Sequence, residues 1–122
     1  MPKNDKNRGG PDNFQIALKK ATTEMMVLYL LREKSMYTYE MMTAIETRSG
    51  GDIVFNTLYL AIYRLQENGY IREQSKVMSE SNRTRIYFEI TEAGSAYLDV
   101  LIREYKRYTA ALSRVLNLEQ KE

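Results

Sequence analysis

Residues 56–69 read NTLYLAIYRLQENG, residues 70–78 YIREQSKVM, residues 79–83 SESNR and residues 84–90 TRIYFEI. The fold is decided where the spacing of apolar residues changes inside this stretch. Leu58, Ile62 and Leu65 recur at helical intervals and share one face. Asn56 is a suitable N-cap and Gly69 a suitable stop, so the spacing predicts a helix over 56–68. Thr57, Tyr59, Tyr63, Arg64 and Glu67 are left to point elsewhere. Beyond Gly69 the period falls to two. Ile86, Phe88 and Ile90 alternate with Arg85, Tyr87 and Glu89, as in a strand with one buried face. The polar residues 79–83 form a tip between two runs rich in β-branched and aromatic residues, so 70–78 and 84–90 are predicted to pair as a hairpin.

Upstream, Phe14, Ala17, Leu18, Ala21, Met25 and Leu28 predict a helix from Phe14 to about Lys34. Met26, Val27, Leu30 and Leu31 widen its stripe until the C-terminal half is apolar nearly all round, which requires burial all round. A second helix fits Tyr37 to Thr47, with Met41, Met42 and Ile45 inward, and ends at the breaker cluster Ser49-Gly50-Gly51-Asp52. Three helices followed by a hairpin is the order of a winged helix-turn-helix. Downstream, Thr91-Glu92 opens a helix that continues from Ala93 to about Leu116 without a proline. Leu98, Leu101, Tyr105, Tyr108, Leu112 and Val115 step along it by three and four, close to a heptad seam. Such a helix is roughly 36 Å long, longer than the small domain it leaves. Its seam needs a partner, and the simplest one is a second copy of the chain in a twofold dimer.

The fold class is therefore mainly α with a β-hairpin: a winged helix-turn-helix plus a long C-terminal dimerisation helix. Residues 1–13 form a flexible basic arm, 14–90 the winged helix-turn-helix and 91–122 the dimerisation helix and tail. The arm is dense in Pro, Gly, Asn and charge, and serves either as a plain tail or as a minor-groove arm.

Composition removes most other classes. The 122 residues support one compact domain, and a hydrophobic fraction of 43% is enough for a real core. Cys and His are both absent, which takes away cysteine nucleophiles, disulfides, the commonest general base and the commonest metal ligands. There is no Gly-rich phosphate loop after a strand and no carboxylate pair on an apolar face, since Glu40 and Glu46 read as helix-surface residues. An enzyme, a metal site and a cofactor are not expected. The longest apolar run, Met25 to Leu31, cannot span a bilayer, and the polar N-terminal residues lack the apolar stretch of a secretory signal, so the expected location is the cytoplasm. The formal charge of +2 does not by itself point to nucleic acid. If DNA is the partner, positive charge has to be placed locally.

Three stretches carry a family likeness. Tyr37-Thr38-Tyr39-Glu40, the run from Asn56 to Ile71, and Asn82-Arg83-Thr84-Arg85-Ile86-Tyr87-Phe88-Glu89-Ile90-Thr91-Glu92-Ala93-Gly94 resemble, in order and spacing, the second-helix opening, the recognition helix and the wing with its hinge in the PadR family of transcriptional regulators, short form. The likeness spans roughly Ala21 to Leu116. Thr38, Leu60 and Asn82 depart from the family's Gly, Pro and Gly; Asn tolerates the left-handed conformation, so the wing turn can survive.

The resemblance implies a regulator that binds double-stranded DNA as a homodimer, most simply a repressor on a pseudo-palindromic operator. The first residues of a recognition helix meet base edges in the major groove. Thr57 is then either a base contact or a hydroxyl cap, and the resemblance turns Tyr59 toward DNA rather than toward a half-buried packing role. Arg64 and Tyr37 would reach phosphates, while Tyr39 is a core candidate. Lys76, Arg83 and Arg85 sit on or beside the hairpin tip, either as a DNA-gripping wing or as a solvated turn whose charge Glu80 dilutes. Leu98, Leu101, Tyr105, Tyr108 and Leu112 would form the dimer interface. In multidrug-sensing relatives that interface holds planar hydrophobic compounds between aromatic side chains, which makes Phe14, Met25, Leu101, Tyr105 and Tyr108 candidates for an effector pocket; the plainer reading is that they only pack. No membrane partner is expected. The competing function is a winged-helix protein–protein adaptor without DNA binding.

Overall fold

The computed structural model describes residues 10–118. Helix α1 runs over Pro11–Glu33, strand β1 over Met36–Tyr37, helix α2 over Thr38–Arg48 and helix α3 over Tyr59–Glu67. Strands β2 (Ile71–Met78) and β3 (Thr84–Ile90) form the hairpin, and helix α4 (Glu92–Leu116) closes the chain. The strands make one antiparallel sheet in the order β1-β3-β2. The fold is thus the expected winged helix followed by a long helix. No helix among the described residues is long and apolar enough to cross a membrane.

Three local readings change. Helix α1 begins at Pro11, inside the segment taken as an arm, because a proline at the first helical position loses no hydrogen bond and its fixed φ suits the helix. Residues 1–9 of that arm lie outside the described residues. Tyr37 is a strand residue rather than the start of α2; it pairs with Tyr87, and Met36 with Phe88. Two residues are too few to show a period. Helix α3 starts at Tyr59, with Leu58 rather than Asn56 at the N-cap, and the Thr57 hydroxyl accepts a hydrogen bond from the Tyr59 N–H at 3.1 Å.

The core is built from the C-terminal half of α1 (Val27, Leu28, Leu30, Leu31), Met36, Met41 and Ile45, the inner face of α3 (Leu58, Ile62, Leu65), Ile71, Phe88 and Leu98. Each fully buried aliphatic side chain contributes about 1.5–3 kcal/mol. Burial of α1 is confined to that half. Phe14, Ile16 and Leu18 near its start are exposed, as is Tyr29 further on. Leu98 is a correction to the predicted dimer seam, because it lies wholly inside the protomer's own core and offers nothing to a second copy.

A compact junction joins the end of α3 to the start of α4. Gly69 takes φ 77° and turns the chain out of α3, with the Tyr70 N–H bonded to the Leu65 carbonyl. The Tyr70 carbonyl accepts from the Thr91 N–H at 3.0 Å, and the Thr91 hydroxyl donates to the Gly69 carbonyl at 2.7 Å. The same hydroxyl caps α4 by accepting from the Gly94 N–H at 3.0 Å. Gly94 is pressed so closely onto Tyr70 that a Cβ there would collide with its carbonyl oxygen and lie 2.9 Å from Ile90 Cγ1. The Tyr70 and Tyr97 rings stack above this point at 4.3 Å. Arg32 pairs with Asp99 at 2.8 Å on the neighbouring stretch of α1 and α4. Arg48 pairs with Glu33 at 2.6 Å, and this hydrogen bond holds the Glu33 carboxyl below the usual carboxylate range.

Gly94→Ala is expected to destabilise the fold by about 2 kcal/mol, since overpacking against a backbone carbonyl outweighs the better helix propensity of alanine; chemical denaturation of the two proteins measures it. Burial, with the nearby Glu24 charge, raises the Tyr97 pKa above its ordinary value. A phenol whose folded pKa is raised contributes stability at neutral pH that is lost as pH climbs past about 10, where the unfolded chain releases the proton first. Thermal melts from neutral pH to beyond pH 10 should show a steeper alkaline fall for the natural protein than for Tyr97→Phe.

Candidate nucleic-acid interface

Helix α3 stands as a ridge between two grooves. Leu58, Ile62 and Leu65 anchor it to the core. On one flank Tyr59, Tyr63 and Gln66, spaced by four and three residues, face a groove of about 830 Å³ shared with β1, the start of α2 and the wing. On the other flank Leu60, Ala61 and Arg64 face a groove shared with α1. Thr57, at the tip of the helix, borders both. The helix exposes more aromatic and apolar surface than a solvated helix should: Tyr59 is 74% accessible and Leu60 57%. Exposed apolar surface of this extent on one short element marks a contact site.

The wing-side groove gathers Tyr37, Thr57, Tyr59, Arg83 and Arg85 from three separate segments of the chain. Arg64 and Lys76 are not part of it. Arg64 belongs to the α1 flank, and Lys76 is an exposed β2 residue paired with Ile86. The sequence reading missed Tyr63, Gln66 and Glu73 as groove residues, although Tyr63 and Gln66 follow Tyr59 at helical spacing and could have been found that way. Tyr39, a core candidate by sequence, is exposed at the rim. Glu73 brings a carboxylate into the same groove.

Pairing of β1 with β3 orders the wing's basic side. Tyr37 and Tyr87 are opposite each other in register and meet edge-to-face at 5.3 Å. The Arg85 guanidinium lies over the Tyr37 ring at 4.5 Å from its centroid. A cation held over an aromatic face keeps its N–H groups directed outward in the ring plane of the guanidinium, ready for an anion. The wing turn is closed by the Asn82 N–H bonded to the Ser79 carbonyl and the Ser79 N–H to the Arg83 carbonyl, with Asn82 at φ 64°. Asn82 thus adopts the left-handed conformation anticipated for it.

The cations divide into those paired with carboxylates and those that are not. Among the described residues, the cations with carboxylate partners are Arg32, Lys34, Arg48, Arg72 and Arg107. Arg83 and Arg85 on the wing, and Lys20 and Arg64 on the α1 flank, have no such partner among the described residues. A net charge of +2 is therefore compatible with a locally positive face.

Tyr105, Tyr108, Leu112 and Val115 are exposed along the outer two-thirds of α4, as Phe14 is on α1, whereas Leu101 and Met25 pack against the core. Met25 also walls an apolar cavity of about 390 Å³ with Met26, Tyr29, Ile45, Ile53 and Ile102. No group of potential ligands for a metal ion occurs among the described residues.

Residues 27–100 match the transcriptional regulator PadR-like family. An uncharacterized protein of Lysinibacillus sphaericus is 31% identical over 84 residues, which is 67% of this chain and 76% of that protein. A transcriptional regulator from Clostridium thermocellum superposes with a TM-score of 0.68 at 28% identity, covering 86% of this chain and 99% of its own. A PadR family transcriptional regulator from Eggerthella lenta gives a TM-score of 0.73 at 24% identity, covering 88% and 93%, a likeness of fold.

Removal of the ring beneath Arg85 should release its side chain. In Tyr37→Ala the Arg85 side-chain proton resonances are expected to lose their upfield ring-current shift, and in Tyr37→Phe to keep it; unchanged shifts in the alanine variant would contradict the stacked arrangement.

Proposed function

The chain belongs to the PadR-like family of transcriptional regulators, and from that premise we propose that it is a sequence-specific repressor binding double-stranded DNA as a homodimer through α3 and the wing. The observation that carries this reading is the juxtaposition, in one groove, of an exposed polar-aromatic helix flank with two wing arginines that lack carboxylate partners among the described residues. Members of this family are transcriptional regulators rather than enzymes.

Helix α3 has nine residues, and an α-helix with its side chains is about 10–12 Å across, a fit to a major groove about 12 Å wide. Tyr59 and Thr57 lie at its leading end. Gln66 carries the donor–acceptor pair that an adenine edge requires. Arg83 and Arg85 supply phosphate contacts, which give affinity and register but no base choice. The exposed α4 residues Tyr105, Tyr108 and Leu112 seat a second copy, and the twofold axis sets two α3 helices against half-sites about one helical turn apart. A small planar hydrophobic effector held near Phe14, Met25, Leu101, Tyr105 and Tyr108 would relieve repression only by binding one dimer geometry better than the other. The junction at Thr91 and Gly94 supports such coupling, because it ties the end of α3 rigidly to the start of α4.

Fluorescence anisotropy tests this with a labelled fragment from upstream of the protein's own coding sequence, a scrambled duplex, and a salt series. Specific binding should weaken steeply with salt and fall at least about tenfold in an Arg83→Ala, Arg85→Ala variant, the effect of losing two charge-assisted contacts. Absence of duplex binding at low salt would reject the DNA reading in favour of a protein-binding adaptor. Light scattering of a Tyr105→Asp, Leu112→Asp variant is expected to give a monomer that no longer binds the fragment.

A further inference from the structure

The flank of α3 turned away from the wing carries its own positive groups. Its groove, about 320 Å³, is bordered by Lys19 and Lys20 of α1 and by Arg64 of α3, and Glu24 is the one carboxylate along it among the described residues. Lys19 is committed inward: its ammonium donates to the Val54 carbonyl at 2.6 Å and lies 5.0 Å from the centre of the Phe55 ring. That contact fastens the loop before α3 to α1 and fixes the spacing of the two walls. Lys20 and Arg64 remain exposed and without a carboxylate partner among the described residues. Thr57 borders this groove as well as the wing-side one.

A helix with its side chains is about 10–12 Å across and fills a major groove about 12 Å wide, so the two sugar-phosphate backbones must run along its two flanks. The wing arginines serve one of them. Resting on the DNA-binding reading above, we propose that Lys20 and Arg64 form a second phosphate site, which takes the backbone of the opposite DNA strand. The recognition helix is then clamped from both sides: the wing grips one strand and α1 together with α3 the other. This brings α1, whose C-terminal half builds the core, into the DNA contact as well, and it explains why Arg64 lies apart from the wing groove.

The test compares the full-length protein with a Lys20→Gln, Arg64→Gln variant and with the wing variant, using phosphate-ethylation interference on each strand of the upstream duplex together with the salt dependence of binding. The natural protein should show interference on both strands of each half-site. Lys20→Gln, Arg64→Gln should lose the sites on one strand and keep those on the other, and the wing variant should lose the complementary set. The log–log salt slope should fall by about 1.8 per protomer for two lost phosphate contacts. A variant with the natural interference pattern and slope overturns the second site and leaves the DNA-binding reading intact. Uniform loss on both strands overturns the strand assignment. If the natural protein binds no duplex, both readings fall together.

Discussion

The contact between Gly94 and the Tyr70 carbonyl is the constraint on which the rest of the molecule depends. It occupies the point where α3 has just ended, the sheet begins and the last helix starts. Only a residue without a Cβ can lie there. Thr91 completes the arrangement with a single hydroxyl that donates to Gly69 and accepts from Gly94. One polar side chain thereby satisfies a carbonyl left at the exit of α3 and a donor left at the entry of α4, groups that would otherwise need water. The stacked Tyr70 and Tyr97 rings cover the joint. The direction of α4 relative to α3 is therefore set by backbone contacts, which deform far less readily than a surface of interlocking side chains.

From that fixed frame the two flanks of α3 acquire different neighbours. The wing-side flank meets Tyr37, Arg83 and Arg85, and the other meets α1. Positive charge can stand beside α3 without the protein being very basic: Arg32, Lys34, Arg48, Arg72 and Arg107 are paired with carboxylates, while Lys20, Arg64, Arg83 and Arg85 have no such partner among the described residues. An ion pair on an exposed surface adds little stability.

Much of this was legible in the sequence where a period runs long enough to be read. Helix α1, helix α2, the hairpin and α4 each extend over several repeats of their spacing, and the glycines and Asn82 mark their ends. The family likeness added the order of the parts. What escaped has a physical reason in each case. Strand β1 is two residues long and is defined by its partner β3, not by its own pattern. The start of α3 moved because Thr57 turns its hydroxyl onto Tyr59 and leaves the cap position to Leu58, a residue with no capping side chain. The register of β2 shifts between Glu73 and Ser75, so Lys76 rather than Ser75 comes opposite Ile86. Alternation along a strand cannot reveal such an insertion. Leu98 fits the heptad seam and the core equally well, and only the packing of α4 onto α1 decides between them.

Strand β2 buries Ile71 and exposes every residue after it. A two-stranded ribbon with so little apolar contact lies at the low end of local stability, where opening costs little free energy. The wing is thus the part of the sheet with the least apolar support of its own. Its amides should exchange with solvent long before those of the core.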